Sequence, residues 1–139
     1  MKSVNIIVEI AAPAQRVFQT LCDVERWPEW TPTMRAVQRL DHGAFKVGSR
    51  TRVDQPKLRP SIWQVSSMDE DRNFNWVTTA PGLRMEAGHA VESVTDGCRV
   101  TLTFALSGLL APIVNWMYGR LIAEYVNTEA QGLKRRCEA

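Results

Sequence analysis

The chain is short of the side chains that usually carry chemistry. It contains 3 cysteines and 2 histidines in 139 residues. Cys22, Cys98 and Cys137 lie far apart and share no metal-ligand spacing. That excludes a disulfide framework or a zinc site from the expectations and makes a reducing cytoplasm the default location. There is no Ser/His/Asp set, Cys/His pair, phosphate-cradling glycine loop or dinucleotide fingerprint. No metal and no cofactor is expected. Long hydrophobic runs are missing too. The stretch from Leu106 to Val126 is interrupted by Gly108, Pro112, Asn115, Gly119, Arg120 and Glu124, so no integral membrane segment is expected. The N-terminal stretch alternates and includes Asn5 and Glu9, unlike the continuous apolar centre of a signal peptide. Charge of one sign is scarce as well: the formal net charge is +2. Lys134-Arg135-Arg136, the one basic cluster, falls where a final helix would end and suits its dipole, so nucleic acid is not an expected partner.

What the chain does have is an ordinary globular composition, with 45% hydrophobic and 23% charged residues. Its length fits a single domain spanning residues 1–139, burying roughly two-thirds of its unfolded surface without staples. Nothing in the pattern sets an oligomeric state.

Val4, Ile6, Val8 and Ile10 alternate with Ser3, Asn5, Ile7 and Glu9, which predicts a half-buried strand. Pro13 suits the first turn of a helix reaching Cys22, and Pro28 a short second helix over Glu25–Trp30. Met34–Leu40 alternates again, with Met34, Ala36, Gln38 and Leu40 expected inward. A further strand is expected around Arg50–Gln55, and prolines 56 and 60 bracket a loop.

Four later strands allow a register test. Ser61–Met68 and Asn73–Thr79 flank a polar turn, which pairs Val65 with Trp76 and Trp63 with Thr78. Leu83–Val94 and Arg99–Leu106 flank Thr95-Asp96-Gly97-Cys98, a strong hairpin signal. Folding there pairs Val91 with Leu102 and His89 with Phe104. Joining the hairpins through Ala80-Pro81-Gly82 pairs Met85 with Thr78 and Ala87 with Trp76. All registers send Trp63, Val65, Trp76, Met85, Ala87, His89, Val91, Val100, Leu102 and Phe104 to one face. Arg84, Glu86, Glu92, Arg99, Thr101 and Thr103 go to the other, and a one-residue slip would mix the faces. A last helix from Pro112 to about Arg136 carries two neighbouring apolar stripes. One runs through Val114, Met117, Leu121 and Tyr125, the other through Tyr118, Ile122, Val126 and Leu133. The expected fold class is α+β: a curved antiparallel sheet of about seven strands around a long C-terminal helix, with two short helices after the first strand. Sheet and helix would form a cup with an apolar wall almost free of titratable groups.

The order of elements resembles the START-like helix-grip superfamily, also called SRPBCC, and within it the polyketide cyclase/dehydrase-type members. The matching stretches are Ile10-Ala11-Ala12-Pro13-Ala14-Gln15-Arg16-Val17-Phe18 and Asp23-Val24-Glu25-Arg26-Trp27-Pro28-Glu29-Trp30. Others are Trp63-Gln64-Val65, Asp96-Gly97 before Arg99-Val100-Thr101-Leu102, Ser107-Gly108, and Gly132-Leu133-Lys134. The resemblance implies a cavity for hydrophobic ligands between sheet and helix, and it brings no universal catalytic signature.

The expected ligand-binding residues are Trp63, Trp76, Met85, His89, Phe104, Met117, Tyr118, Leu121 and Tyr125. The tryptophans would form an aromatic wall, and the tyrosine hydroxyls would need partners. His89 is the one candidate acid or base, weighed against a core histidine satisfied by a neighbour. Gln38, Thr51, Gln55, Ser67 and Thr78 are the inward polar groups, while Arg50 and Arg52 are placed outside. Trp27 and Trp30 pack the short helix or rim the pocket. Three functions follow: binding of a hydrophobic small molecule that is lipid-, polyketide- or quinone-like, a cyclase/dehydratase-type enzyme using the same cavity, and a protein-interaction module.

Overall fold

The computed structural model describes residues 2–139, with Lys2 by its backbone only. Its elements are β1 (Lys2–Ile10), α1 (Ala14–Cys22), a 3-10 helix (Val24–Glu29), β2 (Ala36–Arg39), β3 (Arg50–Asp54), β4 (Ser61–Asp69), β5 (Asn73–Ala80), β6 (Leu83–Val94), β7 (Gly97–Ser107) and α2 (Ala111–Glu138). The strands form one antiparallel sheet in the order β1-β7-β6-β5-β4-β3-β2. The first strand therefore pairs with the last, and the two-helix excursion after β1 carries the chain to the far edge. The sheet curves around α2, which packs on β1, β7 and α1. This is the helix-grip α+β architecture.

Alternation decides the wet and dry faces. Val91, Val100 and Leu102 are buried, whereas Arg84 and Glu92 are exposed on the opposite face. The outer face carries ion pairs across strands: Arg84 to Glu86 at 3.0 Å, and Arg99 to Glu9 at 3.2 Å and to Glu92 at 3.3 Å. Such exposed pairs contribute little to stability; their placement marks the solvated side. α1 lays Val17, Phe18 and Leu21 into the core, each such burial contributing roughly 1.5–3 kcal/mol.

The expected pairs Val65–Trp76, Thr78–Met85 and Trp76–Ala87 form, and three other expectations of pairing or facing change. The β6–β7 hairpin closes on Thr95 and Asp96, so that Val94 faces Gly97, His89 faces Leu102 and Val91 faces Val100. Asp96 adopts a φ of 67°, a conformation aspartate tolerates in turns. Gly97 and Cys98 are thereby released into β7. The shift is two residues, so each side chain keeps its face. In β4 a bulge between Val65 and Ser67 turns Ser67 out to solvent and brings Met68 toward the core. β2 is offset by one: Val37 pairs with Val53 and is buried, while Ala36, Gln38 and Leu40 are exposed. Met34 is buried before the strand starts, so the alternation counted from it does not carry into the strand.

Candidate functional site

A cavity of about 830 Å³ lies between the concave face of the sheet and α2. Its floor is a row of rings. Trp76 lies 5.3 Å from Trp27 and 5.8 Å from Trp63 between ring centres, and Trp63 lies 6.0 Å from Phe104. In the sheet, Ala87 stands between Trp76 and Phe104; a small residue there leaves space above the floor. Trp27 reaches this floor from the 3-10 helix, fixed by its indole N–H donating to the Leu21 carbonyl at 3.0 Å.

Of the residues expected from sequence, Trp63, Trp76, Met85, His89, Phe104, Tyr118 and Tyr125 line the cavity; Met117 and Leu121 do not. Met117 is 59% exposed. The helix presents Val114, Tyr118, Ile122, Tyr125, Val126 and Glu129 to the space, a line at spacings of three and four. That line follows the Tyr118–Ile122 stripe. Met117 is turned ~100° from Tyr118 about the axis, which carries it onto the outer face with Ile113 and Trp116. Among the expected inward polar groups, Thr78 and Gln55 line the cavity, and Thr51 is buried away from it.

His89 is 5% exposed. Its ring stacks on Phe74 at 4.2 Å between centres, and Nδ1 lies 3.2 Å from the Phe74 carbonyl oxygen. Only an Nδ1–H can make that bond, so Nε2 carries the lone pair. Burial drives the imidazole pKa down to about 4, against the opposing pull of the Phe74 hydrogen bond. At neutral pH His89 is an uncharged acceptor.

Sequence reasoning missed Glu129. The residue lines the cavity, and its carboxyl group accepts a hydrogen bond from Thr33 Oγ1 at 3.2 Å; Thr33 in turn lies 2.9 Å from Thr31 Oγ1. Desolvation raises its pKa to about 7, outweighing the Thr33 hydrogen bond. The wall is therefore not free of titratable groups. The signal was present: Glu129 continues the inward stripe of Ile122 and Val126, three residues beyond the latter.

The two tyrosines differ. The Tyr125 hydroxyl donates to the Pro56 carbonyl, tying the loop between prolines 56 and 60 to α2. The Tyr118 hydroxyl makes no hydrogen bond to another described residue and is available to a ligand. Burial raises the Cys22, Cys98 and Cys137 thiols, Cys22 to about 12, which makes them poor nucleophiles. Among the described residues no group of three His, Cys, Asp or Glu side chains is placed to hold a metal, and no helix is long and apolar enough to cross a membrane.

The cavity has a closed and an open end. Thr31, Thr33, Met34 and Trp27 are buried around the Glu129 end. Arg52, Lys57, Arg59, Pro60 and Ala80, at the open part of its lining, are exposed; Arg52, expected outside, thus borders the cavity. From Val114 to Glu129 the helix rises about 22 Å.

Comparison with known proteins agrees with this architecture. The sequence pattern of the family described as polyketide cyclase / dehydrase and lipid transport matches residues 1–138. No curated protein matches. Among solved structures, a hypothetical protein of Helicobacter pylori superposes with a TM-score of 0.80 at 16% identity, covering 97% of this chain and 86% of that one. A START superfamily protein of Mycobacterium smegmatis gives 0.77 at 18% identity over 98% and 97% of the two chains. The di-domain ARO/CYC protein BexL of the BE-7585A biosynthetic pathway gives 0.76 at 19% identity over 97% of this chain and 46% of that one. At such identities the likeness is one of fold.

Proposed function

The chain belongs to the polyketide cyclase/dehydrase and lipid transport family, and on that premise we propose that its cup binds one hydrophobic small molecule, lipid-, polyketide- or quinone-like. The observation that carries this reading is the cavity of about 830 Å³ floored by Trp27, Trp63, Trp76 and Phe104. A mainly apolar concavity of that size with few polar groups is built to desolvate a ligand rather than to hold a charge. The acceptor Nε2 of His89 and the Tyr118 hydroxyl would orient it.

A second reading is favoured by one pair of groups. His89 and Glu129 line the same cavity with pKa values pushed toward each other's usual range. An imidazole base and a carboxylic acid of that kind suit an aldol cyclisation of a poly-carbonyl chain. The imidazole would take the α-proton and the acid would protonate the attacked carbonyl.

The binding proposal is tested by titrating the uncharged probe N-phenyl-1-naphthylamine and following tryptophan quenching. Saturable binding to one site that persists at high salt is expected, since the floor is uncharged. Ala87→Trp fills the space above the floor and should abolish binding in a protein whose circular dichroism remains native. Equal affinity in that folded variant overturns the proposal. Native mass spectrometry with organic extraction then identifies the resident molecule.

A further inference from the structure

The closed end of the cup carries one carboxyl group with no counter-ion. None of the ion pairs among the described residues involves Glu129. The segment after the 3-10 helix contributes Thr33, which bonds the carboxyl group, and Met34, Trp76 and His89 line the same cavity. α2 itself contributes Tyr125, Val126 and Leu133 one turn away. The charged groups of these elements point elsewhere. Arg136 bonds Glu29 at 2.7 Å, Arg35 approaches Asp54 at 3.8 Å, and Lys134 bonds Glu138 at 2.8 Å. The cations that line the cavity, Arg52, Lys57 and Arg59, are exposed, and none of them pairs with Glu129.

One of the two carboxyl oxygens is already used. Thr33 Oγ1 donates to Oε1, and Thr31 can donate to Thr33 across the 2.9 Å contact. This relay leaves Oε2 without a hydrogen bond to another described residue, on a side chain that lines the cavity. A carboxyl group without a cation in an apolar cup avoids charge by keeping its proton. An Oε2–H is a donor; opposite it in chemical character stands Nε2 of His89, an acceptor. Neither offers positive charge to an anion.

We infer that Glu129, backed by Thr33, is the polar anchor of the cup and selects ligands that present a carbonyl oxygen to it over bare hydrocarbons of the same apolar body. The inference rests on the binding function proposed above and adds the ligand class. A carbonyl accepts the Oε2 proton. A ligand that spans the cup would hold its oxygen at the closed end and trail its apolar remainder toward Tyr118.

Two probes of one shape separate this inference from the binding reading: anthracene and 2-acetylanthracene, each titrated by tryptophan quenching. Binding of anthracene itself reports the apolar cup. At pH 6, 2-acetylanthracene should bind about tenfold more tightly than anthracene, the scale of one buried hydrogen bond. Raising the pH to 9 ionises Glu129 and should erase the advantage of the ketone over anthracene. His89 remains neutral over that range. Glu129→Gln keeps a donor and cannot ionise, so the ketone preference should persist and become independent of pH. Glu129→Leu should bind anthracene and lose the preference. If anthracene fails to bind, the binding function is wrong. If anthracene binds but wild type shows no ketone preference, or Glu129→Leu retains it, the anchor is refuted while the cup stands. Should Glu129→Leu not fold, the pH profile of Glu129→Gln against wild type decides alone.

Discussion

In the first three turns of α2, Ile113, Trp116 and Met117 are 55%, 85% and 59% exposed; in the last three, Ala130, Leu133 and Cys137 are at most 1% exposed. Both halves are drawn from apolar sequence. The second half is clamped. Lys134 donates to the Glu9 carbonyl at 2.7 Å, Glu138 accepts from the Ala11 N–H at 2.8 Å, and Arg136 bonds Glu29 on the 3-10 helix at 2.7 Å. Gly132 lets the helix approach the 3-10 helix so closely that a Cβ there would stand 2.1 Å from the Trp30 carbonyl oxygen. In the first half Ile113, Trp116 and Met117 lie on the outer face, while Val114 and Tyr118 on the inner face border the cavity. One half fixes the helix against the sheet edge so that the other can be held away from the floor. An apolar stripe therefore reports a need for a partner, and here part of that partner is the ligand space itself.

The sharpest way to break this division is Gly132→Ala. Helix propensity alone would favour alanine by about 1 kcal/mol. The backbone clash should reverse the sign and destabilise by about 3 kcal/mol or more, read as a fall in the urea midpoint. An unchanged or raised midpoint would mean that the clamp is loose. Next in size is a matched pair. Leu133→Ala removes a side chain with no exposure and should cost ~2–5 kcal/mol. Leu121→Ala, half-buried and outside the cavity lining, should cost below ~1 kcal/mol. Equal losses in the two denaturant melts would erase the difference between the halves.

The inner face of β5, β6 and β7 was legible because parity is a property of the chain alone. The Asp96 turn shifted the β6–β7 pairing by an even number and left that face intact. The bulge at Val65–Ser67 inserted an odd residue, and from there the alternation of Ser67 misled. β2 is four residues long, too short for alternation to outvote the buried Met34 before it. In α2 the two apolar stripes were legible but not their ranking, since Met117 is as hydrophobic as the residues that face the cavity. Glu129 went unread for a different reason. Charge argues for the surface, and only its place on the buried helical line argues against it; the hydroxyl of Thr33, distant in sequence, decides the outcome.

Glu129 is also where the clamped half can be loosened without removing any atoms, by pH. Its folded-state pKa is raised from 4.5 to about 7. Folding therefore favours its protonated form. The contribution is fully present below the unfolded value and is lost as pH rises toward the folded one. His89 runs the other way. Its pKa falls from 6.5 to about 4, so its neutral form is favoured and stability is lost as pH drops through that interval. Over the shared window, about pH 4.5 to 6.5, the two slopes oppose each other, and wild type should vary little. Glu129→Gln removes one slope. At pH 8 the variant should gain roughly 1–3 kcal/mol on wild type compared with their difference at pH 4.5. Any fixed packing cost of the amide cancels in that comparison, as do the lowered carboxylates Asp41 and Glu138, which both proteins share. Urea melts of both proteins at the two pH values measure it. A difference between variant and wild type that does not change with pH would place the Glu129 carboxyl in water, and the second half of α2 would then be no drier at that position than the first.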